Sequence, residues 1–160
     1  GEDFNIEKVS INNFKASEKV ATIRKTLQDE GLHTFIFYDP SKDYIYNLTL
    51  KSLDSMNKMH PDRHESYIDL DVSILHSLIL DNILGIGAKE LASQKYLEYT
   101  HSIEEVVAKV DEGIQEMAFF VSATTMDQIQ SVSLANEKMP QKSTYFYPKL
   151  LTGLVFNLLS

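Results

Sequence analysis

Apolar positions alternate at the start of the chain, with Phe4 and Ile6 followed by Val9 and Ile11 after a one-residue slip, and this predicts a strand over 4–11. From Ser17, the predicted N-cap, the period lengthens. Val20, Ile23 and Leu27 recur at helical spacing until Gly31, which predicts a helix over 17–30. Segments 33–38 and 44–51 are rich in aromatic and branched residues. They flank Asp39-Pro40-Ser41-Lys42-Asp43, a turn-forming run, and predict a hairpin. Residues 52–68 are polar, contain Pro61 and have no period, so they read as the longest loop. Asp69 or Asp71 is then the expected cap of a helix running to about Leu84, apolar on most of its circumference and closed by Gly85-Ile86-Gly87.

Beyond it, 95–100 reads as a short strand, and Ser102-Ile103-Glu104-Glu105 has capping-box spacing before a helix to Glu112. Met117 to Val121 is an apolar run suited to a buried strand, and Thr125-Met126-Asp127-Gln128 repeats the capping-box spacing before a helix to about Lys138. Segments 143–147 and 154–159 are the last predicted strands. The expected order is βαββ-α-βαβαββ. It predicts a single α+β domain, a layered α/β arrangement with a mixed sheet and helices packed mainly on one face.

Composition narrows the function classes. The 160 residues are 43% hydrophobic and 24% charged, with a formal charge of −8. An acidic chain lacks the attraction that supplies most nucleic-acid affinity, so neither nucleic acid nor an anionic membrane is an expected partner. Without cysteine there is no thiolate nucleophile, disulfide or Cys-ligated zinc, and the cytoplasm is the expected compartment. No apolar run is long enough to span a bilayer, and no basic-then-apolar leader opens the chain, whose Gly1 reads as a tag remnant.

Two constellations could carry chemistry. Met139 to Ser160 holds two lysines and no acid, a charge of +2 that leaves −10 for the preceding 138 residues. Within it, Lys142 could bind a phosphate or carboxylate by a charge-assisted hydrogen bond, with Ser143 and Thr144 adding neutral ones. No glycine-rich loop precedes them, so this is not a P-loop, and a structural strand carrying Tyr145, Phe146 and Tyr147 is the competing reading.

The second is His60-Pro61-Asp62-Arg63-His64-Glu65-Ser66-Tyr67, followed by Asp69 and Asp71. Its imidazoles and carboxylates suit acid/base work, and His60 and His64 are the catalytic candidates. A four-residue His spacing holds zinc only on a helix, which Pro61 opposes, and a solvated loop is the plain alternative. His76, inside the apolar helix, is either a hydrogen-bonded core residue or a further catalytic candidate. His33 and His101 carry no signal. The aromatic residues Phe35, Phe37, Tyr38, Tyr44 and Tyr46 read as cross-strand packing rather than a base-stacking platform.

The string Met139 to Lys149 with Gly153-Leu154-Val155 resembles the C-terminal signature of a prokaryotic family known as domain of unknown function 1015. Leu70-Asp71-Val72 through Leu75-His76 to Leu78-Ile79-Leu80 is similar to a second segment of that family. The resemblance implies that the chain is the C-terminal part of a longer protein whose other half is similar to ParB-type nucleotide-binding proteins. It further implies a small-molecule, serine-kinase-like activity for the whole, with ATP or ADP and magnesium bound outside this fragment. On that reading Lys142, Ser143, Thr144, Arg63, Tyr145 and Lys149 form the anion-binding part of a composite site, whose partners are the protein's own N-terminal domain and a small-molecule ligand. The alternative is a non-catalytic module that packs on the missing half or forms a homodimer, because Leu150 to Leu159 is very apolar for an exposed terminus.

Overall fold

The computed structural model of the chain describes residues 2–87, 89–90, 97–140 and 143. Strand β1 (Phe4–Ser10) leads to helix α1 (Ala16–Asp29), whose cap is Lys15, two residues before the predicted Ser17, with the Glu18 carboxylate accepting the Lys15 N–H at 2.7 Å. β2 (Thr34–Tyr38) and β3 (Tyr44–Leu50) form the predicted hairpin. At its turn the Asp39 carboxylate accepts the Ser41 N–H at 2.8 Å, the local bond that makes Asp a turn former.

The stretch expected as one long loop instead holds two short helices, α2 (Asp54–Met59) and α3 (Glu65–Ile68). Their few apolar contacts, buried Met56 and Ile68, are too sparse to register as a helical period. Helix α4 (Asp71–Ile74) follows and widens into a π-helical segment, Leu75–Asp81. Its cap is not the carboxylate of Asp69 or Asp71: Leu70 holds the capping position, and the Asp71 side chain turns away to accept the His33 N–H. Helix α5 (Ile103–Asp111) is capped by Ser102 as expected. β4 (Ala118–Val121) precedes helix α6 (Met126–Leu134), where Thr125 and Gln128 complete the predicted capping box. α6 ends four residues early, at Leu134, and Asn136 just beyond it has φ 54°.

An α+β fold results, with sheet order β1-β3-β2-β4. Two features of the expected sheet are corrected. Every pairing is antiparallel, so the sheet among the described residues is not mixed. β4 follows a helix, as a parallel crossover strand would, yet it sets Val121 against Phe35 and Ala118 against Tyr38 and so runs against β2. Alternating helix and strand patterns report connectivity, not direction.

The helices also cover both faces rather than one. Phe35 and Ile36 are adjacent in β2, point to opposite faces, and are each fully buried. Phe35 packs with Phe4, Leu50, Met56, Ile68, Ile74 and Leu78, whereas Ile36 packs with Ile45, Val20, Ile23, Val107 and Val110. The unbroken apolar run of β2, Phe35-Ile36-Phe37-Tyr38, is what a strand buried on both sides requires.

Of the predicted strand at 95–100, residues 97–100 are irregular and the rest lie outside the described residues. The same holds for both C-terminal strands except Ser143. Among the described residues no helix is long and apolar enough to cross a membrane.

Candidate functional site

The 60–67 constellation is assembled by three elements. Pro61 cannot continue α2, so the chain turns at His60, whose backbone N–H bonds the Met56 carbonyl at 2.9 Å. The His60 ring faces the π-helical segment, with Nε2 at 2.7 Å from Ser77 Oγ and the Tyr67 ring edge-on at 5.8 Å. Burial and nearby Arg63 hold the His60 imidazole below its ordinary value, with Asp81 opposing them.

Arg63 stacks over Tyr67, its guanidinium carbon 3.9 Å from the ring centroid, and donates to the Glu137 carboxylate at 2.6 Å. The other oxygen of Glu137 accepts the backbone N–H of His64 at 2.8 Å. His64 in turn caps α3, with Nδ1 accepting the Ser66 N–H at 3.1 Å. The loop is thus fastened to the residues just after α6, and the charges of Arg63 and Glu137 neutralise each other.

His76 stands apart from that cluster. Half-buried in the π-helical segment, it lies edge-on to Tyr99 with centroids 6.5 Å apart, and burial lowers its imidazole. Among the described residues no set of three or more His, Asp or Glu is arranged to hold a metal ion.

A groove of about 890 Å³ runs between α2, α3 and α6. His64, Glu65, Asp69, Asp127 and Ser131 line it, with Leu53, Ile68, Leu70 and Leu134 supplying apolar surface. Its charged lining is carboxylate, so it attracts ammonium groups and repels the phosphates of a nucleotide.

Of the C-terminal constellation, Lys142, Thr144, Tyr145 and Lys149 lie outside the described residues. Ser143 is held beside the start of α6: its carbonyl accepts the Thr124 hydroxyl at 3.0 Å, and its own hydroxyl donates to the Pro140 carbonyl at 2.7 Å. In that conformation Ser143 Oγ offers lone pairs rather than a proton, and donation to an anion requires the hydroxyl to rotate.

Three participants were not singled out from the sequence. Glu137 and Ser77 lie within predicted helices with no pattern to mark them, and His33 stands at an element edge. His33 in fact adopts φ 60°, gives its backbone N–H to Asp71 at 2.8 Å, and places Nε2 3.2 Å from Asp69 Oδ1. That tie joins the start of β2 to the groove wall at Asp69. Burial raises the Asp71 carboxyl above its ordinary value, although the His33 N–H opposes the shift.

No family model matches the sequence, and neither the curated proteins nor the solved structures provide a match.

Proposed function

We propose that the domain supplies the ligand-binding wall of a composite small-molecule site in a longer protein, one whose chemistry is phosphoryl transfer to a small polar, amine-bearing metabolite such as an amino acid. The observation that carries this reading is the placement of α6. Its side chains Asp127 and Ser131 line the groove, Thr124 before it holds Ser143, and Glu137 after it holds the Arg63–His64 loop. Ser143 and the Arg63–His64 loop, far apart in sequence, are therefore fastened to the residues that flank one nine-residue helix.

In this reading Asp69 and Asp127 attract the ligand's ammonium group, and the Lys142 segment, with Ser143, Thr144, Tyr145 and Lys149, holds its phosphate or carboxylate. The acidic groove does not suit a nucleotide, so ATP or ADP with magnesium belongs to the protein's own N-terminal half. Arg63 and His64 act by positioning, through their bonds to Glu137.

A thermal-shift screen of the full-length protein against amino acids, their phosphate esters and magnesium nucleotides tests the proposal, because a ligand that binds only the native state raises apparent stability. An amine-bearing ligand is expected to stabilise the protein, with affinity falling at least about tenfold, roughly 1.4 kcal/mol, in both Asp127→Asn and Lys142→Ala. No stabilisation by any member of the set, or affinities indifferent to both substitutions, overturns it.

A second reading, a packing or dimerisation module, is favoured by large apolar side chains in the open: Leu134 at 76%, Met126 at 67% and Ile83 at 61% exposure. Light scattering of the isolated chain separates the two. A concentration-dependent dimer abolished by Leu134→Lys supports the module, and a monomer indifferent to that change speaks against its homodimer form.

A further inference from the structure

We propose that Ser77 is an activated nucleophile and His60 its general base, a pair suited to acyl transfer from a small carboxylic ester. This does not depend on the groove reading, since neither residue lines the groove. Ser77 Oγ and His60 Nε2 lie 2.7 Å apart, the separation at which an imidazole can take a hydroxyl proton as the oxygen attacks.

The two residues sit on different elements, 17 positions apart, so the contact is a product of the tertiary fold. Ser77 belongs to the π-helical segment, where the Asn82 N–H reaches back five residues to the Ser77 carbonyl at 3.1 Å. Such widened turns are rare and gather at functional sites, because they displace side chains from the regular helical register. Residual exposure of Ser77, 7%, restricts the electrophile to a small one, whereas His60 is only half-buried and connects the pair to the surface.

The groups facing His60 fit the role. Burial and then Arg63 disfavour its protonation, Asp81 in the π-helical segment favours it, and Tyr67 packs against the ring edge. The balance leaves a neutral ring near pH 7, and in the tautomer with its proton on Nδ1 the Nε2 atom accepts from the Ser77 hydroxyl. As the Ser77 oxygen bonds to the ester carbon, its proton passes to His60 Nε2. The adduct collapses, the carbon–oxygen bond to the leaving alkoxide breaks, and His60 returns the proton, so that an alcohol departs. Water then attacks the acyl-serine with His60 again as base, releasing a carboxylic acid and restoring Ser77. The net reaction is ester plus water to acid plus alcohol.

The intact chain treated with a fluorophosphonate probe, digested and sequenced by mass spectrometry is expected to carry the label on Ser77. Labelling should vanish in Ser77→Ala and slow about 100-fold in His60→Gln, with folding of each verified by circular dichroism. The unmodified chain supplies a readout that no substitution can unfold: its labelling rate should rise through a midpoint below about pH 6.5 and then level off. No label, a label elsewhere, a rate indifferent to His60→Gln, or a rate climbing with hydroxide beyond pH 9 overturns the pair.

Discussion

Against one face of the sheet lie two ordinary amphipathic helices, α1 and α5. Against the other lies a succession of short turns, α2, α3 and α4, with the π-helical segment. The first face is held by Val20, Ile23, Val107 and Val110, and by a polar tie in which Lys19 donates to Tyr38 at 2.8 Å and to Asp111 at 2.8 and 2.9 Å. Burial pulls the Lys19 ammonium down, but the hydrogen bonds to Asp111 and Tyr38 outweigh it and leave it above its ordinary value. The second face has an equally dry floor at Phe35, Met56, Ile74 and Leu78, yet its rim holds His60, Arg63, His64, Ser77 and Asp71. Regular helices satisfy their own backbone and leave side chains free to pack. Short turns leave backbone groups for side chains to satisfy, and polar residues collect where that happens.

Truncating the two floors gives the largest effects. Phe35→Ala and Ile23→Ala each empty a fully buried position, on opposite faces, and should cost about 4 and about 3 kcal/mol in urea denaturation. Equal denaturant slopes would mean that both faces unfold as one unit. A reduced slope confined to Phe35→Ala would instead mean that the short-turn face comes apart first, and would sharpen the contrast between the two.

Arg63→Ala addresses the rim. It removes the stack on Tyr67 and leaves the Glu137 carboxylate, 12% exposed, without its charged partner, so a loss of about 2 kcal/mol is expected. Glu137→Gln keeps an acceptor for the His64 N–H and should lose less. If both variants fall within about 0.3 kcal/mol of the parent, the loop is not fastened to α6 as its hydrogen bonds indicate.

The difference between the faces also governs what the sequence could reveal. α1 and α5 were legible because Val20 and Ile23, or Val107 and Val110, are neighbours along one helix, and Ser102 and Thr125 find their capping partners three residues away. Hairpin and β4 were legible for the same local reason. The direction of β4 and the covering of both faces are long-range outcomes, although the unbroken apolar run of β2 did hint at the second. In the candidate site, the residue types at 60–67 stood out, but their partners did not. Arg63 meets Glu137 across 74 positions, His33 meets Asp71 across 38, and His60 meets Ser77 across 17. No period or spacing rule reaches that far.

Helix caps offer a smaller comparison. Ser102 accepts the Glu105 N–H at 3.1 Å at the start of α5, and Thr125 accepts the Gln128 N–H at 3.2 Å at the start of α6. Each Ala substitution should cost about 1 kcal/mol. The two should part in their further effects: Thr125→Ala loosens the helix that carries Asp127 and lies beside Ser143, so it should weaken ligand binding by the full-length protein, which Ser102→Ala should leave unchanged.

The smallest expected effect is a pH dependence confined to the short-turn face. His60 and His76 both belong to it, and burial lowers both imidazoles, reinforced at His60 by Arg63. An unfolded imidazole has a value near 6.5, so below that pH the unfolded chain binds protons that the folded chain still refuses. Stability from these two groups is therefore complete above about pH 6.5 and declines as the pH falls toward their folded values. Asp71 acts in the opposite sense. Burial raises its carboxyl, so the folded chain takes up a proton before the unfolded one does, and acid relieves a penalty at that site. Its relief comes nearer the carboxylate range, so the histidines should dominate between about pH 6.5 and pH 5. Denaturation midpoints measured across that interval should drop in the parent and drop less steeply in His76→Leu, which keeps an apolar contact for Tyr99 and removes one of the two titrating rings. Asp71→Asn should change the slope only at the acidic end of the series. A decline as steep as the parent's in the double variant His60→Gln/His76→Leu would place the acid sensitivity elsewhere than in the short-turn face.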